Sequence, residues 1–129
     1  MGEKYLIDTN VLIDAQMHHL PNIGLDFLTT VINENFIISF ITLIEYLGYK
    51  SFNKSSEEFI SLADVIYVDK QIIQSCIDIR KNYNIKLPDA IIASTALVHG
   101  LILVTNNEKD FLPIHNLIVL NPYSLSQKR

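Results

Sequence analysis

The chain has 129 residues, of which 49% are apolar and 19% charged, and its formal net charge is −4 at pH 7. This length suits a single domain over residues 1–129 that can bury its own core. The negative charge argues against a protein that coats nucleic acid, because such proteins display a basic surface to the phosphates. The one cysteine, Cys76, excludes an intramolecular disulfide. Since the start of the chain lacks an apolar leader, we expect a cytoplasmic protein without a membrane helix.

Short apolar runs and helical patterns alternate in the first half of the chain. The predicted elements are a strand at Lys4–Ile7, a helical turn from Val11, a helix at Gly24–Asn33, a strand at Phe36–Phe40 and a helix at Thr42–Lys50. Ser55 and Glu58 have the spacing of a capping box. They predict a further helix that runs through Leu62.

The second half continues the alternation. It predicts a strand at Val65–Val68, a helix capped by Asp69 that runs to about Tyr83, a helix begun by Pro88 and ended by Gly100, and strands at Leu101–Thr105 and Leu117–Leu120. Strands that alternate with helices favour parallel pairing, with helices on both faces. The sequence therefore predicts an α/β fold, a three-layer α/β/α domain with a mostly parallel central sheet.

Four acidic residues lie where apolar segments end. Asp8 follows the first predicted strand and Asp110 comes shortly after Leu101–Thr105, whereas Glu45 and Asp89 lie on helical patterns. Because the carboxyl ends of parallel strands meet at one edge of a sheet, we expect one shared pocket. Carboxylates gathered in a pocket repel one another, so the cluster makes most physical sense around a divalent cation such as Mg²⁺ or Mn²⁺.

The order of these motifs resembles that of the PIN-domain family. The resemblance is carried by Asp8-Thr9-Asn10, by the helix that bears Glu45, by Asp89 before the small-residue run AIIASTA, and by Thr105-Asn106-Asn107 ahead of Asp110-Phe111. It extends from Tyr5 to about Leu120. The short layout is similar to that of the VapC-type toxins of toxin–antitoxin pairs.

This resemblance implies a metal-dependent endoribonuclease that cuts RNA internally. It implies that the four acids hold Mg²⁺ or Mn²⁺ and act in catalysis, with four supporting side chains: Thr9, Asn10, Thr105 and Asn107. A homodimer and a small inhibitory antitoxin are also implied. The spacing of the acids by itself indicates only a divalent-metal site suited to phosphate.

Other interpretations stay open from the sequence. Asp8 could only cap the following helix, and Asp89 could only favour the first turn of its helix. The chain could be a free-standing RNA-processing nuclease or an inactive PIN-fold binding module. A response-regulator receiver and a haloacid-dehalogenase-type phosphatase fit poorly, because the last strands lack a lysine and Asn10 stands where the phosphatase needs a second aspartate.

An aromatic group follows Glu45 in the sequence. It consists of Tyr46, Leu47, Tyr49 and Phe52. We expect these residues to form an apolar groove for a partner helix beside the acidic pocket, with stacking on an unpaired base and burial in a core or dimer contact as the alternatives.

Overall fold

The computed structural model describes residues 2–50 and 53–126, which contain five short strands and seven helices. The strands are β1 (Tyr5–Ile7), β2 (Ile37–Ser39), β3 (Asp64–Ile66), β4 (Ile102–Val104) and β5 (Val119–Leu120). The helices are α1 (Thr9–Gln16), α2 (Asn22–Glu34), α3 (Phe40–Leu47), α4 (Lys54–Ile60), α5 (Lys70–Asn82), α6 (Leu87–His99) and α7 (Glu108–Phe111).

All strand pairs are parallel, as the alternation of strands and helices predicts. One ladder has the order β1-β4-β5 and a second joins β2 to β3, while β1 and β2 lie in contact. Ile7 is paired with Val104 in the first ladder. The carboxyl ends of β1 and β4 therefore lie side by side, which places the residues after each strand at one edge of the sheet.

Successive residues of a strand contribute to opposite faces of the sheet. Leu6 and Leu103 belong to a buried cluster with residues of α5 and α6, whereas Ile7 and Val104 belong to a second cluster with residues of α1, α2 and α4. This alternation follows from the two-residue period of a strand. The predicted three-layer α/β/α arrangement is confirmed, with the sheet between two layers of helices.

The start of α5 and both ends of α6 lie where the sequence predicts them, because a capping residue, a proline or a glycine marks each of these boundaries. Asp69 caps α5 by accepting a hydrogen bond from the backbone N–H of Ile72 at 2.9 Å. Pro88 lies in the first turn of α6, and Gly100 ends that helix with a left-handed φ of 65°. This backbone conformation favours glycine because it has no Cβ.

Several boundaries differ from the predicted ones, and three of the differences have a clear local cause. The first helix starts at Thr9 rather than Val11. Ser39 caps α3 through the backbone N–H of Ile41, so strand β2 ends before Phe40 and the helix begins there. The predicted capping box of Ser55 and Glu58 is wrong, because the cap of α4 is Asn53, whose side chain accepts a hydrogen bond from the backbone N–H of Ser56.

Asp110, which follows β4 in the chain, lies on the short helix α7. Phe52 lies outside the described residues. Within the described part of the chain, no helix has both the length and the apolar character needed to cross a membrane.

Candidate active site

Three of the four predicted acids line one pocket at the carboxyl edge of the sheet. Asp8 directly follows β1, Glu45 lies on α3 and Asp89 lies in the first turn of α6. The pocket has a volume of about 500 Å³ and is completed by Thr9, Asn10, Ile13, Gly48 and Tyr49. Residues that are distant in the sequence thus meet because the strands are parallel and end at one edge.

Asp8 is the best-buried acid of the site, with 4% of its surface exposed. Its Oδ1 accepts a hydrogen bond from the backbone N–H of Thr9 at 2.8 Å. Its Oδ2 accepts one from the Thr105 hydroxyl at 2.8 Å and one from the Asn10 side-chain amide at 3.3 Å. Because a carboxylate has about four acceptor positions, these donors fix its orientation and leave room for a further partner.

Burial governs the protonation of Asp8. Removal from water, together with the nearby charges of Asp89 and Glu45, raises the pKa of Asp8 from 3.8 to about 6. The hydrogen bonds from Thr105 and Thr9 act in the opposite direction, because they stabilise the charged form. The fold thus holds a carboxylate at the end of β1 although burial disfavours its charge.

Glu45 is held by the hydroxyl group of Thr9, which Thr42 contacts in turn. Thr9 donates from its hydroxyl to Glu45 Oε1 at 2.6 Å. The same hydroxyl lies 3.0 Å from the hydroxyl of Thr42, which is fully buried one helical turn before Glu45. Since the proton of Thr9 is used by Glu45, the Thr42 hydroxyl is the donor in the second bond. Thr9 therefore links α1 to two positions of α3.

Asp89 lines the pocket, whereas Asp110, on α7, is not among the residues that line it. Desolvation raises the pKa of Asp89, and the charges of Asp110 and Glu45 raise it further, while Lys86 lowers it. Asp110 Oδ2 accepts a hydrogen bond from the side-chain amide of Asn107 at 3.1 Å. The charge of Asp89 therefore interacts with those of Glu45 and Asp110, and the charge of Asp8 with those of Asp89 and Glu45.

The donor set fits a hard divalent cation. All four acids offer carboxylate oxygens, which such ions prefer, and in the described part of the chain none of them is paired with a lysine, arginine or histidine. Among residues 2–50 and 53–126, however, no three acid, histidine or cysteine side chains lie close enough to ligate one ion. The acids therefore offer suitable ligand atoms without forming a closed set of three ligands in the described part of the chain.

The supporting residues predicted from sequence lie around the acids. Thr9, Asn10 and Thr105 each contact an acid directly, and the Thr105 hydroxyl also accepts a hydrogen bond from the backbone N–H of Asn107 at 3.0 Å. Thr42 did not emerge from the sequence. Its spacing of three residues before Glu45 places both on one helical face, and that spacing is the signal that could have found it.

The aromatic group next to Glu45 is divided between two environments. Tyr46 is 3% exposed and belongs to the core with α1 and α4, so its predicted place in an open groove beside the acidic pocket is wrong. Leu47 and Tyr49 are exposed, and only Tyr49 lines the pocket. Helical periodicity explains the difference, because Tyr46 and Leu47 point to different sides of α3.

Comparison with known families supports the same class of fold. The model of the PIN domain matches residues 5–114. The chain therefore belongs to the PIN domain family. No match was found among curated proteins.

Solved structures resemble the chain over nearly its whole length. A toxin–antitoxin complex from Klebsiella pneumoniae contains a chain that is 31% identical, with a TM-score of 0.75 and coverage of 95% of this chain and 100% of that one. VapBC2 from Rickettsia felis, bound to a DNA fragment from its promoter, is 30% identical, with a TM-score of 0.73 and coverage of 91% and 97%. FitAcB from Neisseria gonorrhoeae is 26% identical, with a TM-score of 0.75 and coverage of 94% and 99%. The similarity to VapC-type toxins expected from the sequence is confirmed.

Proposed function

We propose that the chain is a divalent-metal-dependent endoribonuclease and the toxin of a toxin–antitoxin pair. The observation that carries this proposal is the buried Asp8, which is fixed by three hydrogen bonds in a pocket with Glu45 and Asp89 and has no cationic partner among the described residues. Buried charges are normally paired with a cation or used to bind one. The similarity to chains of toxin–antitoxin complexes supports the biological role.

The acids and the residues around them would have different roles in this function. Asp8, Glu45, Asp89 and Asp110 would hold Mg²⁺ or Mn²⁺, which lowers the pKa of a bound water and neutralises the charge of a phosphodiester. Thr105 and Asn10 would keep Asp8 oriented, and Thr9 would do the same for Glu45. Such supporting hydrogen bonds fix ligand positions and so contribute to metal affinity.

Cleavage of RNA by the purified protein tests the proposal. We expect internal cuts in RNA with Mg²⁺ or Mn²⁺ and no cuts after chelation with EDTA. Asp8→Asn should lower the rate by more than about a hundredfold, because losses of ten- to a hundredfold are already typical for residues that only support a metal ligand. The Asp69→Asn variant is a matched control, since Asp69 caps α5 and does not line the pocket.

The same assay separates the enzyme from an inactive binding module. The wide spacing of the carboxylates favours this second candidate, because no three of them form a ready set of ligands in the described part of the chain. If wild type and Asp8→Asn show the same residual cleavage, the nuclease proposal fails. Binding of Mn²⁺ without cleavage would then support the binding module.

A groove between α1, α2 and α4 supports the proposed antitoxin. It has a volume of about 410 Å³ and is lined largely by apolar side chains, among them Leu12, Leu25, Leu28, Ile32 and Phe59. An amphipathic helix buries its apolar face in grooves of this kind. We propose that a helix of a small antitoxin lies here, and that the complex inhibits cleavage.

Co-expression with the product of the neighbouring reading frame tests this partner. Leu25→Glu should prevent co-purification, because it places a charge in the apolar groove. Ile23→Glu is the matched control, since Ile23 is exposed on the same helix but does not line the groove. Unchanged co-purification with Leu25→Glu would contradict the groove as the binding site. No co-purification with wild type would contradict the antitoxin assignment. Neither outcome would affect the nuclease proposal.

A second apolar surface supports a homodimer. Val68, Ile73, Ile77 and Leu87 are exposed around a depression of about 580 Å³ on α5 and the start of α6. Contiguous exposed apolar residues typically mark protein interfaces. We propose self-association through this surface, and light scattering should then show a dimer that Ile77→Asp makes monomeric. Leu62→Asp, at an exposed leucine outside this surface, should leave the dimer unchanged.

A further inference from the structure

Tyr49 is a partly exposed aromatic side chain at the acidic pocket. It follows α3, which ends at Gly48, and its backbone N–H donates to the carbonyl of Tyr46 at 3.2 Å. The turn directs Tyr49 into the lining of the acidic pocket with Glu45 and Asp89. The side chain is 38% exposed and belongs to neither buried cluster of the described residues. Its place is therefore not explained by core packing.

The pocket combines two kinds of chemistry. Asp8, Glu45 and Asp89 supply oxygen atoms, whereas Tyr49 and Ile13 supply an apolar and aromatic wall. Its volume of about 500 Å³ lies within the range of small-ligand sites, which is roughly 300 to 1,000 Å³. A nucleotide has the matching composition, since its phosphate is polar and its base is a flat aromatic ring.

We infer that Tyr49 is a stacking platform for an unpaired base next to the phosphodiester held at the carboxylates. The inference rests on the proposed nuclease function and specifies its substrate as RNA that is single-stranded at the cut. A base within a duplex is stacked on its neighbours and cannot lie against the ring. Aromatic stacking accepts any base, so Tyr49 would select for strandedness rather than for sequence.

The alternative occupant of this wall is a side chain of a protein partner. An arginine could stack on the ring and reach the carboxylates. The structure favours the base, because the apolar groove suited to a partner helix lies between α1, α2 and α4 and is lined by Tyr46 rather than Tyr49. The experiment distinguishes the two occupants directly.

Binding is measured with proteins that carry Asp8→Asn, so that the proposed cleavage is blocked. Three proteins are compared. One carries Asp8→Asn alone, the second carries Asp8→Asn and Tyr49→Phe, and the third carries Asp8→Asn and Tyr49→Leu. Phenylalanine keeps the ring, and leucine keeps apolar bulk without a ring. Because Tyr49 is outside both buried clusters, both variants should fold, which circular dichroism melts verify. The probes are one single-stranded RNA oligonucleotide and the same strand in a duplex, each with 2-aminopurine moved along the sequence.

We expect Tyr49→Leu to weaken binding of the single strand by about five- to tenfold, at the low end of typical base-stacking losses. Tyr49→Phe should stay within about twofold. Quenching of 2-aminopurine in the single strand should be similar at each labelled position and should disappear with leucine, and duplex binding should not depend on residue 49. Equal binding by the leucine and phenylalanine variants overturns the inference. The inference is also overturned if Tyr49→Leu weakens binding of the co-expressed partner protein and leaves binding of single-stranded RNA unchanged.

The outcome is independent of the cleavage test. If protein with an intact Asp8 does not cut RNA with Mg²⁺ or Mn²⁺, the proposed function fails whatever residue 49 does to binding. If it cuts RNA and residue 49 has no effect on single-strand binding, only the stacking inference fails. In the expected case, Tyr49→Leu in the active protein raises KM more than it lowers kcat, because the ring binds a base and does not touch the reacting atoms.

Discussion

Buried hydroxyl groups satisfy their hydrogen bonds in opposite ways at the edge of the sheet and inside α6. At the sheet edge, Thr105 donates to Asp8 at 2.8 Å, although 97 residues separate the two in sequence, and Thr9 donates to Glu45 at 2.6 Å. These bonds join different elements. Each therefore depends on the whole fold and fixes the position of an acid.

Inside α6, the hydroxyls are equally buried but use only their own helix. Ser94 donates to the carbonyl of Ala90 and Thr95 to that of Ile91, each at 2.7 Å. Such bonds to the preceding turn are available to serine or threonine in any helix. The comparison teaches that burial of a hydroxyl does not mark a site, whereas a long-range bond to a carboxylate does.

The strongest test of this difference concerns Asp8 and pH. Its pKa rises from 3.8 to about 6 on folding, so the folded state of the metal-free protein binds its proton more tightly than the unfolded state. This contribution to stability is present below about pH 4 and is lost as the pH rises through about 6. The loss is on the order of 3 kcal/mol.

Chemical unfolding of wild type and Asp8→Asn at several pH values isolates this contribution. The free energy of unfolding of Asp8→Asn minus that of wild type should increase between pH 4 and pH 7. Mg²⁺ or Mn²⁺ at a hundredfold excess over its Kd should restore about 2.7 kcal/mol to wild type alone. Parallel pH profiles of the two proteins, both insensitive to metal, would count against a buried metal-holding carboxylate.

The next largest effect is expected for the hydroxyl that contacts Asp8. Thr105→Val keeps the shape of the side chain but removes the donor to Asp8 and the acceptor for the backbone N–H of Asn107. We expect cleavage activity to fall about 10- to 100-fold, as for other residues that orient metal ligands. Thr105→Ser should recover most of it. The measurement is kcat/KM at saturating Mn²⁺, and a valine variant with wild-type activity would contradict the role.

Thr42 reaches Glu45 only through the hydroxyl of Thr9, so its substitution should have a smaller effect. Thr42→Val removes the donor to Thr9, whose hydroxyl then lacks the partner that orients it toward Glu45. We expect the apparent affinity for Mn²⁺ to fall about tenfold, with Thr42→Ser near wild type. Titration of activity with Mn²⁺ checks this. If serine and valine behave alike, Thr42 contributes only to packing.

The smallest effect is expected inside α6. Ser94→Ala and Thr95→Val remove hydroxyls whose acceptors are carbonyls of the same helix, and helix carbonyls keep their backbone partners. Activity should change by less than about twofold and Mn²⁺ affinity should not change. A loss comparable to that of Thr42→Val would show that the distinction between local and long-range hydroxyl bonds is not informative here.

Several features of the fold could be predicted because their causes are local. Asp69, Pro88 and Gly100 act on the residues next to them, and the helices that they begin or end lie where the sequence predicts. The error at α4 has a local cause too. Asn53 and Ser55 both suit a cap, and the structure uses Asn53.

The site could be predicted only in part. The parallel alternation indicated that Asp8 and Asp110 lie toward one edge, and the order of motifs indicated Glu45 and Asp89. Thr42 could not be predicted, because its contact with Thr9 exists only once α1 and α3 pack together. The direction of Tyr49 also depends on how the turn after α3 closes.

The sequence by itself determined the parallel α/β architecture and indicated the acids that line the pocket, Asp8, Glu45 and Asp89, because strand period, helix signals and the order of motifs act over short distances or along the chain. Only the tertiary structure decided which oxygen atoms accept hydrogen bonds, that Tyr46 is buried while Tyr49 lines the pocket, and that the pKa of Asp8 is raised. These properties depend on burial and on distances between separate elements. Such distances exist only when the helices have packed on the sheet.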